Sequence, residues 1–421
     1  TVPTSRPASS TVFVMRSIAS STSGRAGPPG YPIAIARSRG PMMKPSTPGT
    51  VTALPGVRHA EPRPDPVGRV VGARRSPGRP VRCQTGPMPE PYTAVGLIPS
   101  VRGIRTRADI QRNLDHIAEL FKAASWLSSL DLPVRLVAIP EGGLQAFNDE
   151  VLDLDHVTFA RECAIDIPGP ETDFLAALAR RYDTFVMAQA KARHEAFPDR
   201  FFNVGFAIDP TGEIVLKHHK LTTLYPVEHS MTPHDVFDQW VDMYGLTLDA
   251  FFPVADTEIG RLGVLMANEG SYPENARGLA LNGAEVVYRA SYPHPHTGNE
   301  FFEIQSRARA LDNNFYVVAP NLATYYLHTE SQDAIDTFGG RSMVIDYKGR
   351  IVGQHLYGAG SSYVAGTVDV GALRHFRTHA QWDNWTKDLR TELYQLVYAD
   401  PIYPKNLYAD RAPFNHTEYR E

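Results

Sequence analysis

The 421 residues carry 42 Lys and Arg against 46 Asp and Glu, a net charge of −4, and 43% of them are apolar. That balance gives no field for nucleic acid or an anionic membrane, and no run of about 18 apolar residues offers a membrane span. With two cysteines, Cys83 and Cys163, neither a disulfide framework nor a cysteine-based zinc site is expected, and a reducing cytoplasm is the expected compartment.

Residues 1–87 hold 13 basic and 2 acidic side chains and 15 of the 34 prolines. Such a stretch buries too little apolar area to offset its ordering entropy, and disorder is expected. Three readings stand for it: sequence upstream of a start at Met88, an Arg- and Ser-rich transit peptide, or a basic tail. From Met88 the pattern alternates. Residues 92–98 are apolar and β-prone. Residues 108–127 have helical spacing, with Ile110, Leu114, Ile117, Leu120 and Phe121 on one face. A short strand at 135–139 ends at Pro140-Glu141. A helix at 172–182 turns Leu175, Leu178 and Ala179 inward, and a strand follows at 184–188. Strands at 202–208 and 213–217 flank Asp209-Pro210-Thr211-Gly212, which is hairpin chemistry. Strands at 252–257 and 262–266 lead to a helix at 272–282, closed by Gly283. A strand at 285–288, a helix at 300–313 and a strand at 315–319 continue the alternation. A second hairpin pairs 342–347 with 350–354 across Lys348-Gly349. Beyond about residue 370 a mainly helical tail carries Trp382, Trp385, Tyr394, Tyr398, Tyr403 and Tyr408, expected to pack on a partner subunit or on the chain's own core. Interleaved helices, strands and hairpins indicate a mixed-sheet α/β domain, and no internal repeat is visible.

Three charged residues sit where strands run out. Glu141 follows Val137-Ala138-Ile139-Pro140, Lys220 follows Lys217-His218-His219, and Glu228 stands eight residues later in Tyr225-Pro226-Val227-Glu228. Ligand sites of α/β proteins gather at the carboxyl ends of strands, and a charge placed there is costly to bury unless it is paired. Each residue alone reads as a surface charge; the three together read as a site.

Their order is similar to that of the nitrilase superfamily of carbon–nitrogen hydrolases: amidases, nitrilases and carbamoylases. That family has a strand ending in Pro-Glu, a strand leading to Lys-Leu, often a second Glu, and then Gly, three apolar residues and a cysteine before a turn, an aromatic and Pro-Glu. The last block reads here Gly263-Val264-Leu265-Met266-Ala267-Asn268-Glu269-Gly270-Ser271-Tyr272-Pro273-Glu274, and residues 277–287 and 307–321 also resemble the family. The resemblance covers residues 92–370, so a hydrolase domain at 88–370 and a tail at 371–421 are expected. It implies a four-layer α–β–β–α sandwich and covalent catalysis by a thiolate. By the carry-over Glu141 is the proton acceptor, Lys220 faces the developing oxyanion with the backbone N–H of Asn268, and Glu228 holds the lysine. Tyr272 stands where a substrate contact is expected, and Arg289, at a position where the family often places one, reads equally as a pocket contact or a structural ion pair. No cofactor is implied, and the partner is a small linear amide, as in the aliphatic amidase and formamidase branch. A homodimer or larger homo-oligomer would pack through the helices at 272–282 and 300–313.

The departure from the pattern is Ala267, at the nucleophile's position. A methyl group attacks nothing, and losing the nucleophile of a comparable covalent triad costs about 10⁶ in kcat. Ser271 and Cys163 are weak substitutes. Two origins fit: a cysteine-to-alanine change made to silence the enzyme, or a natural pseudoenzyme that keeps a binding pocket. Retention of Glu141, Lys220 and Glu228 favours recent loss of the cysteine. His218-His219 and His294-Pro295-His296 lack a third ligand at motif spacing, so no metal is expected there.

Overall fold

The computed structural model describes residues 88–420 apart from 225–226, 292–299, 338–339 and 358–359. The expectations for residues 1–87 and for His294–His296 lie outside the described residues. Fifteen strands are described in chain order: β1 (Tyr92–Ile98), β2 (Val101–Arg102), β3 (Val134–Ala138), β4 (Phe185–His194), β5 (Phe197–Ile208), β6 (Ile214–His219), β7 (Val254–Thr257), β8 (Gly260–Val264), β9 (Val286–Tyr288), β10 (Tyr316–Ala319), β11 (Thr324–Tyr326), β12 (Asp336–Thr337), β13 (Ser342–Ile345), β14 (Ile351–His355) and β15 (Ser362–Val368).

Two six-stranded sheets run β15-β1-β3-β4-β5-β6 and β7-β8-β9-β10-β13-β14. In each, two central parallel pairs are flanked by one antiparallel pair on one side and two on the other. The sheets thus repeat one pairing plan, although no sequence repeat betrays it. Successive strand side chains point to opposite faces, and the core follows that period. Tyr92 and Ala94, Leu136 and Ala138, and Phe185 and Met187 meet Leu262, Val264, Val286, Tyr288 and Val318 between the sheets. The alternate residues of the first sheet, Val95, Leu97, Val137, Ile139, Val186 and Ala188, face outward onto helices. Those helices are Ile110–Ser128 and Pro170–Tyr182. Val287, Val317 and Ala319 of the second sheet pack against Ala276 and Leu279 of helix Pro273–Leu281 and Phe302 and Ala310 of helix Phe301–Asn313. Helix, sheet, sheet and helix make the four layers. At Gly205 a Cβ would stand 2.5 Å from Val264 Cγ1, so the sheets close on each other only over a hydrogen.

The expected elements are present, with differences that have physical causes. In helix Ile110–Ser128 the buried stripe is Ile110, Leu114, Ile117, Phe121 and Ala124, and Leu120 lies half-buried at its margin. The hairpin β4–β5 runs far longer than residues 184–188 and 202–208, because its extension buries polar side chains, Gln189, Lys191 and Asn203, that break an apolar pattern. Strand β15 and the helices Asn148–Val151, His156–Glu162 and Phe237–Tyr244 had no counterpart in the periodicity. The domain limit expected at residue 370 falls at the start of helix Val370–His379, whose Val370 and Leu373 close the space between the sheets. Arg374 pairs with Glu285 through two bonds of 2.7 and 2.9 Å, so this helix belongs to the core. Of the tail aromatics, Trp382 is 84% exposed and Tyr398 62%, while Tyr408 is buried on the chain's own core. Among the described residues no helix is long and apolar enough to cross a membrane.

Candidate active site

The carboxyl end of β3 delivers Glu141, the end of β6 delivers Lys220, and the end of β9 delivers Arg289. Lys220 Nζ donates to Glu141 Oε1 at 3.0 Å and to Glu228 Oε2 at 2.7 Å. All three are buried. Asn203, from the middle of β5, donates from Nδ2 to Glu141 Oε1 at 2.9 Å and to Glu228 Oε1 at 3.0 Å. Gln189 of β4 donates to Asn203 Oδ1 at 2.6 Å and accepts the Gly142 N–H at 2.8 Å, which fixes which way the Asn203 amide faces. Ser230 Oγ and the Leu224 N–H complete the bonds of Glu228 at 2.9 and 3.2 Å. Burial opposes the Glu228 charge, but the Lys220 ammonium and the bonds from Lys220 and Asn203 outweigh it and hold the carboxyl below its ordinary range. Burial likewise opposes the Lys220 charge; Glu141 and Glu228 outweigh it and hold the ammonium well above the usual lysine value.

Ala267 begins the tight turn Ala267–Ser271 directly after Met266. Its φ is +35°, a conformation that side chains with a Cβ rarely adopt. The turn is held from both sides. The Ala267 N–H donates to Ala290 O at 2.6 Å, and Arg289 Nη1 donates to Ala267 O at 2.8 Å. Buried Glu269 accepts the Met266 and Leu221 N–H groups, each at 2.7 Å, and faces His218 Nε2 at 3.0 Å. One carboxylate therefore ties the turn of Ala267 to the segment of Lys220.

Glu141, Lys220, Glu228, Ala267, Asn268 and Arg289 all line one cavity of about 270 Å³. Tyr272 does not: it is 44% exposed and precedes helix Pro273–Leu281 on the surface. Asn268 Nδ2 donates to Thr223 O at 3.0 Å. Arg289 is 1% exposed, and its guanidinium bonds Ser306 Oγ at 3.0 Å and Gln305 Oε1 at 3.1 Å and lies over the Phe302 ring. Burial, and then Arg309, bring it down to about 10. Ser271 lies in the lining, where its Oγ accepts from Gln305 at 3.3 Å. Cys163 is buried elsewhere, donating to Arg105 O at 3.3 Å, and burial pushes its thiol up to about 12. His219 turns to the opposite face of β6, against Phe202 and Trp240.

Sequence reasoning missed Asn203, Gln189, Glu269 and a further acidic group. Glu150 also lines the cavity, 3.1 Å from buried Lys191, which is paired with Asp149 as well. Burial, and then Asp149, Glu228 and Glu141, push the Glu150 carboxyl up to about 8 in spite of Lys191. The only signal for Asn203 was a polar residue inside an apolar strand run, and for Glu269 a carboxylate placed to cap the turn at Met266.

The description "Carbon-nitrogen hydrolase" fits residues 94–377, about two thirds of the chain. This chain belongs to the carbon–nitrogen hydrolase family. It is 26% identical over 250 residues to formamidases of Bacillus cereus and Bacillus anthracis, covering 58% of this chain and 64% of theirs, so under two thirds of those relatives is matched. Among solved structures it is similar to a carbon–nitrogen hydrolase from Helicobacter pylori G27 (TM-score 0.58, 18% identity, 74% of this chain and 99% of that one). It is also similar to Saccharomyces cerevisiae Nit3, a member of the nitrilase superfamily (TM-score 0.52, 20% identity, 69% and 95%). A third likeness is to a cysteine-to-alanine mutant of the amidase from Nesterenkonia sp. AN1, in complex with butyramide (TM-score 0.51, 18% identity, 72% and 96%). These carbon–nitrogen hydrolases share the four-layer sandwich with the chain.

Proposed function

We propose that the cavity is an amide-hydrolysing site whose nucleophile position is held by Ala267, so that the chain as it stands binds a small linear amide and does not turn it over. The observation that carries this reading is the buried Glu141–Lys220–Glu228 cluster, lining one cavity with a residue held at φ +35°. Family membership and the formamidase relatives support amide chemistry. The Nesterenkonia cysteine-to-alanine mutant is a precedent for an amide complex of a chain with this fold.

With a thiol at position 267, the chemistry follows from the groups present. Glu141 takes the thiol proton, and sulfur bonds to the carbonyl carbon. The oxygen that becomes negative is met by the buried Lys220 ammonium, whose charge is worth more there than in water. The tetrahedral adduct collapses, the C–N bond breaks, and ammonia leaves with the proton from Glu141. Water then cleaves the thioester, with Glu141 as base again, giving the acid and the free thiol. Glu228 offsets the buried charge of Lys220 throughout.

The test is Ala267→Cys, assayed with short amides, ureido acids and nitriles for release of ammonia. The cysteine form should gain on the order of 10⁶ in kcat over the alanine form. Ammonia release by the alanine form would overturn the mechanism. Silence in both forms, with amides still bound, would instead favour a natural binding protein. Turnover of nitriles alone would favour a nitrilase.

A further inference from the structure

Outside the cavity, three potential metal ligands converge from distant parts of the chain. Asp153 follows helix Asn148–Val151, His229 follows Glu228, and His416 opens the last described helix. Their ligand atoms all lie within 4.8 Å of one another. Asp153 Oδ1 is 3.5 Å from His229 Nε2 and 3.6 Å from His416 Nδ1. A four-coordinate zinc ion with bonds of about 2.0–2.2 Å has ligand-to-ligand edges of roughly 3.3–3.6 Å, so two edges already have that length.

The hydrogen bonding around the cluster points the same way. His229 is 1% exposed, and neither of its ring nitrogens makes a hydrogen bond with a described residue. A buried polar group left so is costly and calls for a partner. His416 Nε2 donates to Val227 O at 2.6 Å. That bond fixes its tautomer and leaves the Nδ1 lone pair facing Asp153, the usual arrangement of a metal-bound histidine. Asp153 is anchored through Oδ2 by the Thr417 N–H and Oγ1 at 3.0 and 2.7 Å and through Oδ1 by the His416 N–H at 2.5 Å, which leaves Oδ1 a second lone pair for an ion. Asp153 and His416 are each about a quarter exposed, so water can supply a fourth ligand.

We propose that Asp153, His229 and His416 form a binding site for one divalent transition-metal ion of the zinc class, which clasps the C-terminal segment to the stretch of chain carrying Glu228. Two imidazole nitrogens with one carboxylate suit zinc or cobalt and disfavour calcium and magnesium. The ion would act on the cavity only through position: Val227, whose carbonyl holds His416, lines it, and Glu228 adjoins His229.

The experiment uses the full, untagged chain, stripped with chelator and titrated with Zn²⁺ and with Co²⁺, read by calorimetry, metal analysis and the visible bands of tetrahedral cobalt. One equivalent per chain is expected, with a rise in Tm on loading. His416→Gln lies on a half-exposed helix and should fold as the parent does; it should weaken binding at least 100-fold, and Asp153→Asn should do the same. His375→Gln serves as control, because His375 stacks on His379 at 4.1 Å on another helix and could bind metal by itself. Absence of stoichiometric binding by the parent, retention of it in both His416→Gln and Asp153→Asn, or its loss in His375→Gln would each overturn the proposal.

Discussion

Lys220→Met tests the charge balance of the cavity without needing turnover. In the parent, one ammonium lies 3.0 Å from Glu141 and 2.7 Å from Glu228, and all three groups are buried. Methionine fills the volume of the lysine stem and leaves two carboxylates facing each other across it. Breaking a buried pair by removing one partner costs about 3–5 kcal/mol. With an unfolding entropy of about 2.1 cal/mol/K per residue over the roughly 330 folded residues, Tm should fall by about 4–7 °C. The pH dependence carries the sign. Lys220 holds the Glu228 carboxyl below its ordinary range, so the stability from that pair is complete above about pH 4.5, the unfolded value, and is lost as pH falls through the folded value. The deficit of Lys220→Met should therefore be large at pH 7 and shrink near pH 4, where its carboxyls take up protons. Adding Glu228→Gln should recover part of the loss, a coupling of about 1–3 kcal/mol, since one of the two stranded charges is then gone. Guanidinium unfolding at pH 4, 5.5 and 7 measures all three chains. A Lys220→Met chain as stable as the parent at pH 7, or a deficit that grows on acidification, would refute the reasoning.

Three further outcomes are expected. Glu150 has its carboxyl raised to about 8, so the folded state holds a proton there that the unfolded state has released; stability should fall as pH rises from about 4.5 to 8, and Glu150→Gln should flatten that fall in a Tm series. Gly270→Ala would set a Cβ 2.1 Å from the Arg289 guanidinium, so it should cost about 1–3 kcal/mol and, beside Ala267→Cys, lower kcat by displacing the group that holds the carbonyl of residue 267. Ala267→Gly should leave stability unchanged or raise it by up to about 1 kcal/mol, because φ +35° suits glycine; Ala124→Gly in helix Ile110–Ser128 should cost about 1 kcal/mol or more in the same denaturation assay.

Much of the site was legible because its charged residues end strands. Glu141 follows an apolar run and Lys220 follows the second strand of a recognisable hairpin, and the topology then brings the ends of β3 and β6 to one cavity. What was not legible has a common cause: polar groups that serve the site from inside strands erase the strand pattern. Gln189, Lys191 and Asn203 interrupt β4 and β5, so the hairpin read short and the residues that orient Glu141 and Glu228 went unseen. Tyr272 failed differently. Its place just after the turn suggested a contact, but it precedes the first turn of helix Pro273–Leu281 and faces solvent. Asp153, His229 and His416 are 76 and 187 residues apart along the chain, beyond any spacing motif, and only the fold joins them.

The turn at Ala267 bears on the proposed reading of the site. A left-handed residue with a Cβ costs roughly 1–3 kcal/mol and persists only where its surroundings over-determine it. Here they do: Ala290 O, Arg289 Nη1 and Glu269 together fix residues 266 and 267. Arg289 is buried without a carboxylate within ion-pair distance among the described residues, so its charge is itself a cost borne for the carbonyl of residue 267 and its polar neighbours. An alanine with no chemistry to perform gains nothing from being held so. The strain, the buried guanidinium and the paired Glu141–Lys220–Glu228 cluster all make sense for a reactive side chain at position 267. They are the features that the proposed reading expects around a nucleophile position.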